Sequence, residues 1–161
     1  MSIGKHPIWH EIDTAQYLFL MRIFEPRDNA VTVLLEEAVA NKSKRGPTMI
    51  AGINFEGESW PIEPTLDTRV FLLEWTNYVS YCVTEEMHGS TGSFTSEEEY
   101  TGRLLRIYSK SHFLDFVARS TGAHFNAYRH YGIACQNHLL DIVSRNEPTL
   151  SVLTRDEAAV M

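Results

Sequence analysis

The chain has few cysteines and no long apolar run, and these absences exclude two broad classes of protein. Its two cysteines, Cys82 and Cys135, both lie in apolar segments, where a free thiol behaves as a small hydrophobic side chain. No apolar run reaches the roughly 18 to 20 residues that a membrane span needs, and the N-terminal sequence has no apolar signal-peptide core. We therefore expect a cytoplasmic protein that needs no disulfide and does not associate with membranes.

Motifs of nucleotide binding and hydrolysis are absent as well. The sequence contains no GxGxxG, no GxxxxGK followed by Ser or Thr, no GxSxG and no HExxH. The run HGSTGS at residues 88–93 has the composition of a loop, but it has no lysine and no helix is expected after it. No cofactor is therefore expected, and no motif indicates an enzyme.

Seven histidines raise the question of a metal site. Cys135 and His138 have C-x-x-H spacing, and His130 lies five residues before Cys135. Because five is an odd offset, His130 and Cys135 would point to opposite faces of an extended strand. A zinc site needs four ligands at recognisable spacing, and this pattern supplies at most two neighbouring ones. We expect no metal.

Negative charge is what the chain has in excess. Asp and Glu number 21 against 14 Lys and Arg, which gives a formal net charge of −7, and both halves of the chain are acidic. Such a field repels nucleic acids and anionic lipid surfaces and favours basic partners. We therefore expect no nucleic-acid partner and consider a basic protein as the partner.

The strand-forming segments outnumber the helical ones. β-branched and aromatic runs predict about eight short strands, and Ser111 as an N-cap before an apolar helical face predicts one main helix over about residues 111–121. The predicted strands are 16–24, 30–40, 49–55, 69–75, 78–85, 102–108, 129–135 and 138–144. This pattern indicates an α+β fold with a largely antiparallel, curled sheet and the helix packed on it. A β-sandwich or barrel is the alternative.

Two junctions bear on how these strands connect. Residues 16–24 and 30–40 flank the polar turn EPRDN and predict a hairpin, although 30–40 also satisfies helical spacing. Asn77 marks either a turn or bulge between two strands, or a point within one long bent strand. We expect residues 1–153 to form a single globular domain and residues 154–161 to be a frayed or weakly helical tail.

His130, His138 and Asp141 are the candidates for acid–base chemistry, because a histidine near a carboxylate can act as a base at neutral pH. A hairpin that turns at Gln136-Asn137 places Asp141 near Gly132 and leaves His130 beside a different residue, so the three do not automatically converge. We interpret them as amphipathic residues at the edge of the core. The alternative is an enzyme or small-ligand binder with a pocket under the curved sheet, walled by aromatic residues: Trp75, Tyr81 and Tyr131.

Two aromatic residues and three consecutive glutamates are the candidates for partner binding. Trp60 and Phe94 lie in segments that should be exposed loops, and large aromatic residues in loops are typical of interface hot spots. Glu97, Glu98 and Glu99 follow Phe94 in a stretch without Lys or Arg, and an acidic loop attracts basic protein surfaces. We expect an acidic cytosolic protein-binding module, such as an inhibitor or immunity-type partner of a basic protein. No pattern indicates the oligomeric state.

Overall fold

Strands dominate the computed structural model, which describes residues 7–44, 46–50, 53–89, 97–121 and 128–161. In chain order the elements are α1 (Pro7–Thr14), β1 (Tyr17–Phe24), β2 (Ala30–Ala40), β3 (Gly46–Ile50), β4 (Ile53–Ser59), β5 (Ile62–Glu63), β6 (Val70–Thr76), β7 (Tyr78–Glu85), α2 (Glu86–Gly89), β8 (Glu99–Thr101), β9 (Leu105–Lys110), α3 (His112–Thr121), β10 (Arg129–Ala134), β11 (His138–Ser144), β12 (Thr149–Leu153) and α4 (Arg155–Ala159). The fold is therefore strand-rich with a few short helices, as the α+β prediction has it.

The strands form two antiparallel sheets rather than one curled sheet, which corrects the prediction. The first sheet has the order β1-β2-β6-β12, with β5 paired to β2, and the second has the order β7-β11-β10-β9-β8. A separate hairpin joins β3 and β4, where the sequence predicted a single strand. Every strand pair in the described part of the chain is antiparallel, and neither sheet closes into a barrel.

Asn77 divides this part of the chain into two strands that belong to different sheets, so the alternative of one long bent strand is wrong. It separates β6 of the first sheet from β7 of the second and has a positive φ of 59°. Asn tolerates this left-handed conformation better than most residues, because its short polar side chain can form local hydrogen bonds. The Asn77 N–H also donates to the carbonyl oxygen of Asn29 at 2.7 Å, which fixes the switch point to the β1–β2 turn.

The two sheets face each other across one hydrophobic core. The first sheet contributes residues such as Leu18, Val33, Leu35, Phe71 and Leu73, and the second contributes residues such as Leu105, Ile133, Leu140 and Ile142. Trp75 and Tyr131 lie fully buried in this core with their ring centroids 5.8 Å apart. These two side chains therefore fill the space between the sheets, and the predicted pocket with them as walls is wrong.

Two predicted hairpins agree with the structure, and for one of them the predicted register agrees as well. β1 and β2 pair across the EPRDN turn, so residues 30–40 form a strand and the helical alternative is wrong. In the β10–β11 hairpin, Gly132 lies opposite Asp141 and His130 lies opposite Val143. This second register positions the candidate site.

The longest described helix is α3, with ten residues. Ser111 precedes it, and the Ser111 Oγ accepts a hydrogen bond from the Leu114 N–H at 3.0 Å, as an N-cap should. The helix lies against β10 and β11 of the second sheet. Because Val117 is almost completely buried, this helix covers part of the sheet face that points away from the shared core.

Short helices occur at both ends of the described chain. The helix α1 was not predicted from the sequence. It begins at Pro7, and proline is well suited to a first helical position because the N–H it lacks would be unpaired there. In α4, Thr154 and Glu157 form a reciprocal capping box, and Ala158 packs against Leu34 and Val70. The tail is a short capped helix where a frayed or weakly helical end was expected. None of the described helices has the length and apolar character of a membrane span.

Candidate functional site

A buried imidazole links a serine to a carboxylate on the outer face of the second sheet. The Oγ atom of Ser111 lies 2.6 Å from Nδ1 of His130, and Nε2 of His130 lies 2.9 Å from Oδ1 of Asp141. His130 is 1% exposed and Ser111 is 3% exposed, whereas the Asp141 side chain is 29% exposed. We call these three residues the relay.

The carboxylate of Asp141 assigns the proton on the imidazole. Because a carboxylate only accepts, Nε2 of His130 carries the proton and donates to Asp141. In the neutral imidazole Nδ1 is then an acceptor, and it accepts the hydroxyl proton of Ser111, whose Oγ also accepts the N–H of Leu114. In this neutral tautomer both ring nitrogens of the buried histidine are satisfied, which removes the penalty for burying them.

The hairpin register explains why His130 and Asp141 meet. His130 is opposite Val143, and Asp141 lies two residues before Val143 on the same face of β11. Such diagonal neighbours are about 7–8 Å apart at their Cα atoms, within reach of a long side chain. The predicted register is correct, but the diagonal contact across it was not predicted, so the interpretation that these residues do not automatically converge is wrong for His130 and Asp141.

Two aromatic rings enclose the imidazole. The Tyr108 ring stacks on His130 with a centroid distance of 4.1 Å and an interplanar angle of 13°, and the Phe113 ring is tilted against it at 5.4 Å. The Tyr108 ring also occupies the space above Gly132, which has no side chain to block it. Burial raises the pKa of Tyr108. The imidazole is therefore held on its faces by rings and at its edge by hydrogen bonds.

The exposure of the relay is the reverse of what a serine nucleophile requires. A nucleophilic hydroxyl must reach substrate, but the Ser111 oxygen is buried and accepts the helix-capping hydrogen bond. The carboxylate of Asp141 is the end that reaches solvent. The relay is therefore suited to orienting a carboxylate at the surface and not to attacking an acyl group.

An open depression lies where Asp141 reaches the surface, and we call it the acidic depression. Its lining residues are Glu97, Glu98, His112, Phe113 and Asp141. They come from three segments: the stretch before β8, the first turn of α3, and β11. The backbone N–H of His112 donates to Oε1 of Glu98 at 2.9 Å. The ring Nε2 of His112 lies 3.8 Å from Oε2 of Glu97. Three carboxylates and one aromatic ring thus share one concave surface.

The remaining predicted site residues lie elsewhere. His138 is three residues from Asp141 on β11, an odd offset that puts it on the opposite face, so its expected role beside His130 is wrong. Trp60 is 45% exposed between β4 and β5 and does not line the acidic depression. Glu99 begins β8 and is exposed. Phe94 lies outside the described residues.

Four residues of this site were not predicted from the sequence as site residues. Ser111 was identified only as an N-cap, and Tyr108, His112 and Phe113 were not singled out. The packing of α3 on β10 brings Ser111 and Phe113 to His130, and the pairing of β9 with β10 places Tyr108 opposite it. No local pattern in the sequence reports either contact. The N-cap signal at Ser111 was the one available pointer, since it places a hydroxyl at a known end of the helix.

Within the described residues, no group of three or more His, Cys, Asp or Glu side chains is arranged to hold a metal ion. No family model matches the chain, and no curated protein or solved structure matches it. Functional inference therefore depends on the relay and the acidic depression.

Proposed function

We propose that this chain is an acidic protein-binding module whose acidic depression receives an arginine or lysine side chain of a basic partner protein. The observation that carries the proposal is the placement of Asp141: its carboxylate opens into the same depression as Glu97 and Glu98 and is held from beneath by buried His130. Two of the three glutamates predicted to bind a basic partner, Glu97 and Glu98, therefore belong to the proposed site, together with the fixed carboxylate of Asp141.

A fixed carboxylate is a better docking group than a mobile one. Because His130 holds Oδ1 of Asp141, the side chain loses little rotamer freedom when its other oxygen accepts a partner's hydrogen bond. The ring of Phe113 beside it offers a face for a guanidinium or ammonium group. An arginine fits this arrangement best, because its planar group can bond two carboxylate oxygens and stack on a ring.

The charge of the whole chain supports the same partner class. A net charge of −7 attracts a basic protein from a distance and accelerates encounter, and salt weakens this attraction. A partner whose basic surface contains its own active site would be inhibited, as an inhibitor or immunity-type protein would do. We place the interaction in the cytoplasm, which the two free cysteines support.

A short fluorescein-labelled oligo-arginine peptide tests the depression directly. Wild-type protein is compared with the double variant Glu97→Gln/Glu98→Gln, in which glutamine keeps an oxygen for the His112 N–H. Asp28→Asn/Asp67→Asn is the matched control, since it removes two charges from exposed loop positions outside the depression. Fluorescence anisotropy at low and high salt gives the dissociation constants.

We expect the Glu97/Glu98 variant to bind about tenfold more weakly, because each lost charge pair contributes about 0.5–1 kcal/mol. The Asp28/Asp67 control should bind nearly as wild type does. Equal weakening in both variants would mean that the peptide senses only net charge, and the docking site would be refuted. Peptide-induced NMR shifts confined to the depression, at the amides of His112, Phe113 and Asp141, provide the second measurement.

A further inference from the structure

Two of the three carboxylates that line the acidic depression lie beside an imidazole ring. Nε2 of His130 lies 2.9 Å from Oδ1 of Asp141, and Nε2 of His112 lies 3.8 Å from Oε2 of Glu97. The third carboxylate, that of Glu98, accepts the backbone N–H of His112. A positive charge gained by either ring would therefore arise next to a carboxylate of the depression.

Histidine is the residue type that suits a change of charge close to neutral pH. An imidazole ordinarily changes charge between about pH 5 and 8, whereas carboxyl groups titrate at about pH 4 and guanidinium groups above about pH 12. When an arginine side chain lies in the depression, the histidines are thus the groups whose charge responds to mild acid.

Three elements within the described residues face the imidazole of His130. β11 contributes Asp141 at Nε2, the residue before α3 contributes Ser111 at Nδ1, and β9 contributes the stacked ring of Tyr108. The ring of Phe113 in α3 is tilted against the imidazole. Asp141 is the carboxylate among these groups, so a proton gained by the ring forms an ion pair with it.

The hydrogen bonds of the relay can accommodate the second ring proton. Oγ of Ser111 has two lone pairs, so it can accept an N–H from Nδ1 of His130 in addition to the N–H of Leu114. Both ring nitrogens of the charged imidazole then still have a partner, although the ring is buried.

His112 lies among negatively charged side chains. Glu97 and Glu98 approach it from the stretch before β8, and Asp115 lies three residues further along the first turn of α3. Arg106 of β9 is the opposing cation, since it acts together with Glu98 on the phenol that stacks on the relay. Negative groups outnumber positive ones around both rings, which favours their protonated forms.

We infer that the acidic depression is a pH-dependent docking site, which binds a cationic side chain at neutral pH and releases it when His112 and His130 gain protons, a regulation that rests on the proposed function. Two imidazolium charges cancel two of the three negative charges that line the depression. A guanidinium group then loses most of its attraction and meets two charges of its own sign.

Fluorescence anisotropy at pH 7.5 and pH 5.5, at one ionic strength, tests the inference. The probe is an amidated oligo-arginine peptide labelled at its N-terminus with tetramethylrhodamine, because it has no group that titrates in this range. His112→Gln removes one of the two rings. His88→Gln is the matched control, since Nδ1 of His88 lies 2.7 Å from Oε2 of Glu85 outside the depression. Each protein is described by the ratio of its dissociation constants at the two pH values.

We expect the wild-type dissociation constant to rise about tenfold from pH 7.5 to pH 5.5, because each added charge weakens binding about two- to fivefold. His112→Gln should show a rise of about threefold, and His88→Gln should show the wild-type ratio. A ratio that falls equally in both variants would attribute the pH dependence to net charge and overturn the inference.

The wild-type result also separates the inference from the proposed function. If the peptide distinguishes wild type from Glu97→Gln/Glu98→Gln at pH 7.5 but binds wild type equally well at pH 5.5, the docking site stands and its pH dependence is overturned. If the peptide does not distinguish the two proteins at pH 7.5, the docking site and its regulation are refuted together.

A ¹⁵N NMR titration of the ring nitrogens covers His130, because a substitution of its buried ring could unfold the protein. We expect the rings of His112 and His130 to gain a proton between pH 7.5 and pH 5.5. Saturating peptide should lower the pH at which they do so, since a ligand that prefers the neutral rings opposes their protonation. A His130 ring that is still neutral at pH 5.5, or a titration that the peptide does not move, would contradict the inference.

Discussion

Gly132 lies so close to the ring of Tyr108 that a Cβ atom on residue 132 would be 2.7 Å from Cε2 of that ring. The backbone of Gly132 is ordinary strand, so glycine is required there for space and not for an unusual φ. The same ring stacks on His130, and the missing side chain therefore allows the stack that encloses the relay.

Gly132→Ala should destabilise the protein, because the added methyl group displaces the Tyr108 ring from His130. Overpacking of this kind costs about 1–3 kcal/mol of unfolding free energy. Urea denaturation measures the loss. Gly46→Ala in β3 is the control, since a Cβ atom on residue 46 would have no other atom within 4 Å. Equal stability of Gly132→Ala and wild type would mean that the ring moves aside freely.

Most of the fold features that were predicted correctly depend on signals within a few neighbouring residues of the sequence. The bounds of β7 and β11 were predicted correctly. Alternating apolar and polar residues, together with β-branched residues, indicate a half-buried strand at each position along it. The N-cap at Ser111 was predictable for the same reason, since a capping bond spans only three residues. β12 was not predicted because its five residues, Thr149–Leu153, show only weak alternation of apolar and polar side chains. They form a strand because they pair with β6.

The candidate site was less predictable than the fold because its contacts cross between elements. Asp141 and His130 are joined diagonally across a hairpin, and Ser111 reaches His130 only once α3 lies on β10. The register of a hairpin follows from the position of its turn, whereas the packing of a helix on a sheet depends on side chains distributed over the whole chain. The division into two sheets depends likewise on the backbone conformation at Asn77.

Ser111→Ala should lower stability and loosen the relay together. It removes the acceptor for the Leu114 N–H and leaves Nδ1 of buried His130 without its donor, which together cost about 2–3 kcal/mol. Urea denaturation gives the free energy, and ¹⁵N NMR of the imidazole reports whether the proton remains on Nε2. In both proteins Asp141 should keep the proton on Nε2, and we expect the Nδ1 resonance to shift in the variant because Nδ1 loses the hydroxyl of Ser111.

Two further variants distinguish the loss of the Ser111–His130 hydrogen bond from a general change in the stability of α3. Ser120→Ala removes an exposed hydroxyl that bonds the Phe116 carbonyl in the same helix, and it should change stability by less than about 0.5 kcal/mol. Ser111→Thr keeps a hydroxyl at the N-cap and should restore the wild-type Nδ1 resonance. A proton on Nδ1 in the wild-type protein would mean that the assigned direction of the Ser111–His130 hydrogen bond is incorrect.

Glu37→Gln should destabilise the protein near neutral pH but not in acid. Arg69 bonds both carboxylate oxygens of Glu37, at 2.8 and 2.9 Å, and these hydrogen bonds lower the pKa of Glu37 below its ordinary 4.5. A lowered pKa favours the charged form in the folded state. The stabilisation is therefore complete above the unfolded-state pKa and disappears as pH falls through the folded-state pKa.

Urea denaturation from pH 7 to pH 3 tests this expectation. At pH 7 we expect the Glu37→Gln protein to be less stable by about 1 kcal/mol, a modest figure because Arg69 is partly exposed and solvent screens the pair. The two curves should converge as pH falls below 4.5 and through the lowered folded-state pKa of Glu37. Asp67→Asn, which removes an exposed charge, should follow wild type throughout. A Glu37→Gln deficit as large at pH 3 as at pH 7 would show that the shape of the side chain, and not its charge, matters at this position.

Cys82 and Cys135 should differ sharply in their reaction with thiol reagents. Only the thiolate is nucleophilic, and burial raises the pKa of Cys135 to about 12, so that thiol stays protonated and shielded at pH 8. Cys82 is exposed on β7. A disulfide reagent that releases a coloured thiolate should therefore count one cysteine per folded chain, in dilute solution, and two in denaturant. Cys82→Ser should abolish the native reaction and Cys135→Ala should leave it unchanged, whereas rapid labelling of Cys135 in the folded protein would mean that the edge of the core beside the β10–β11 turn opens on the timescale of the assay.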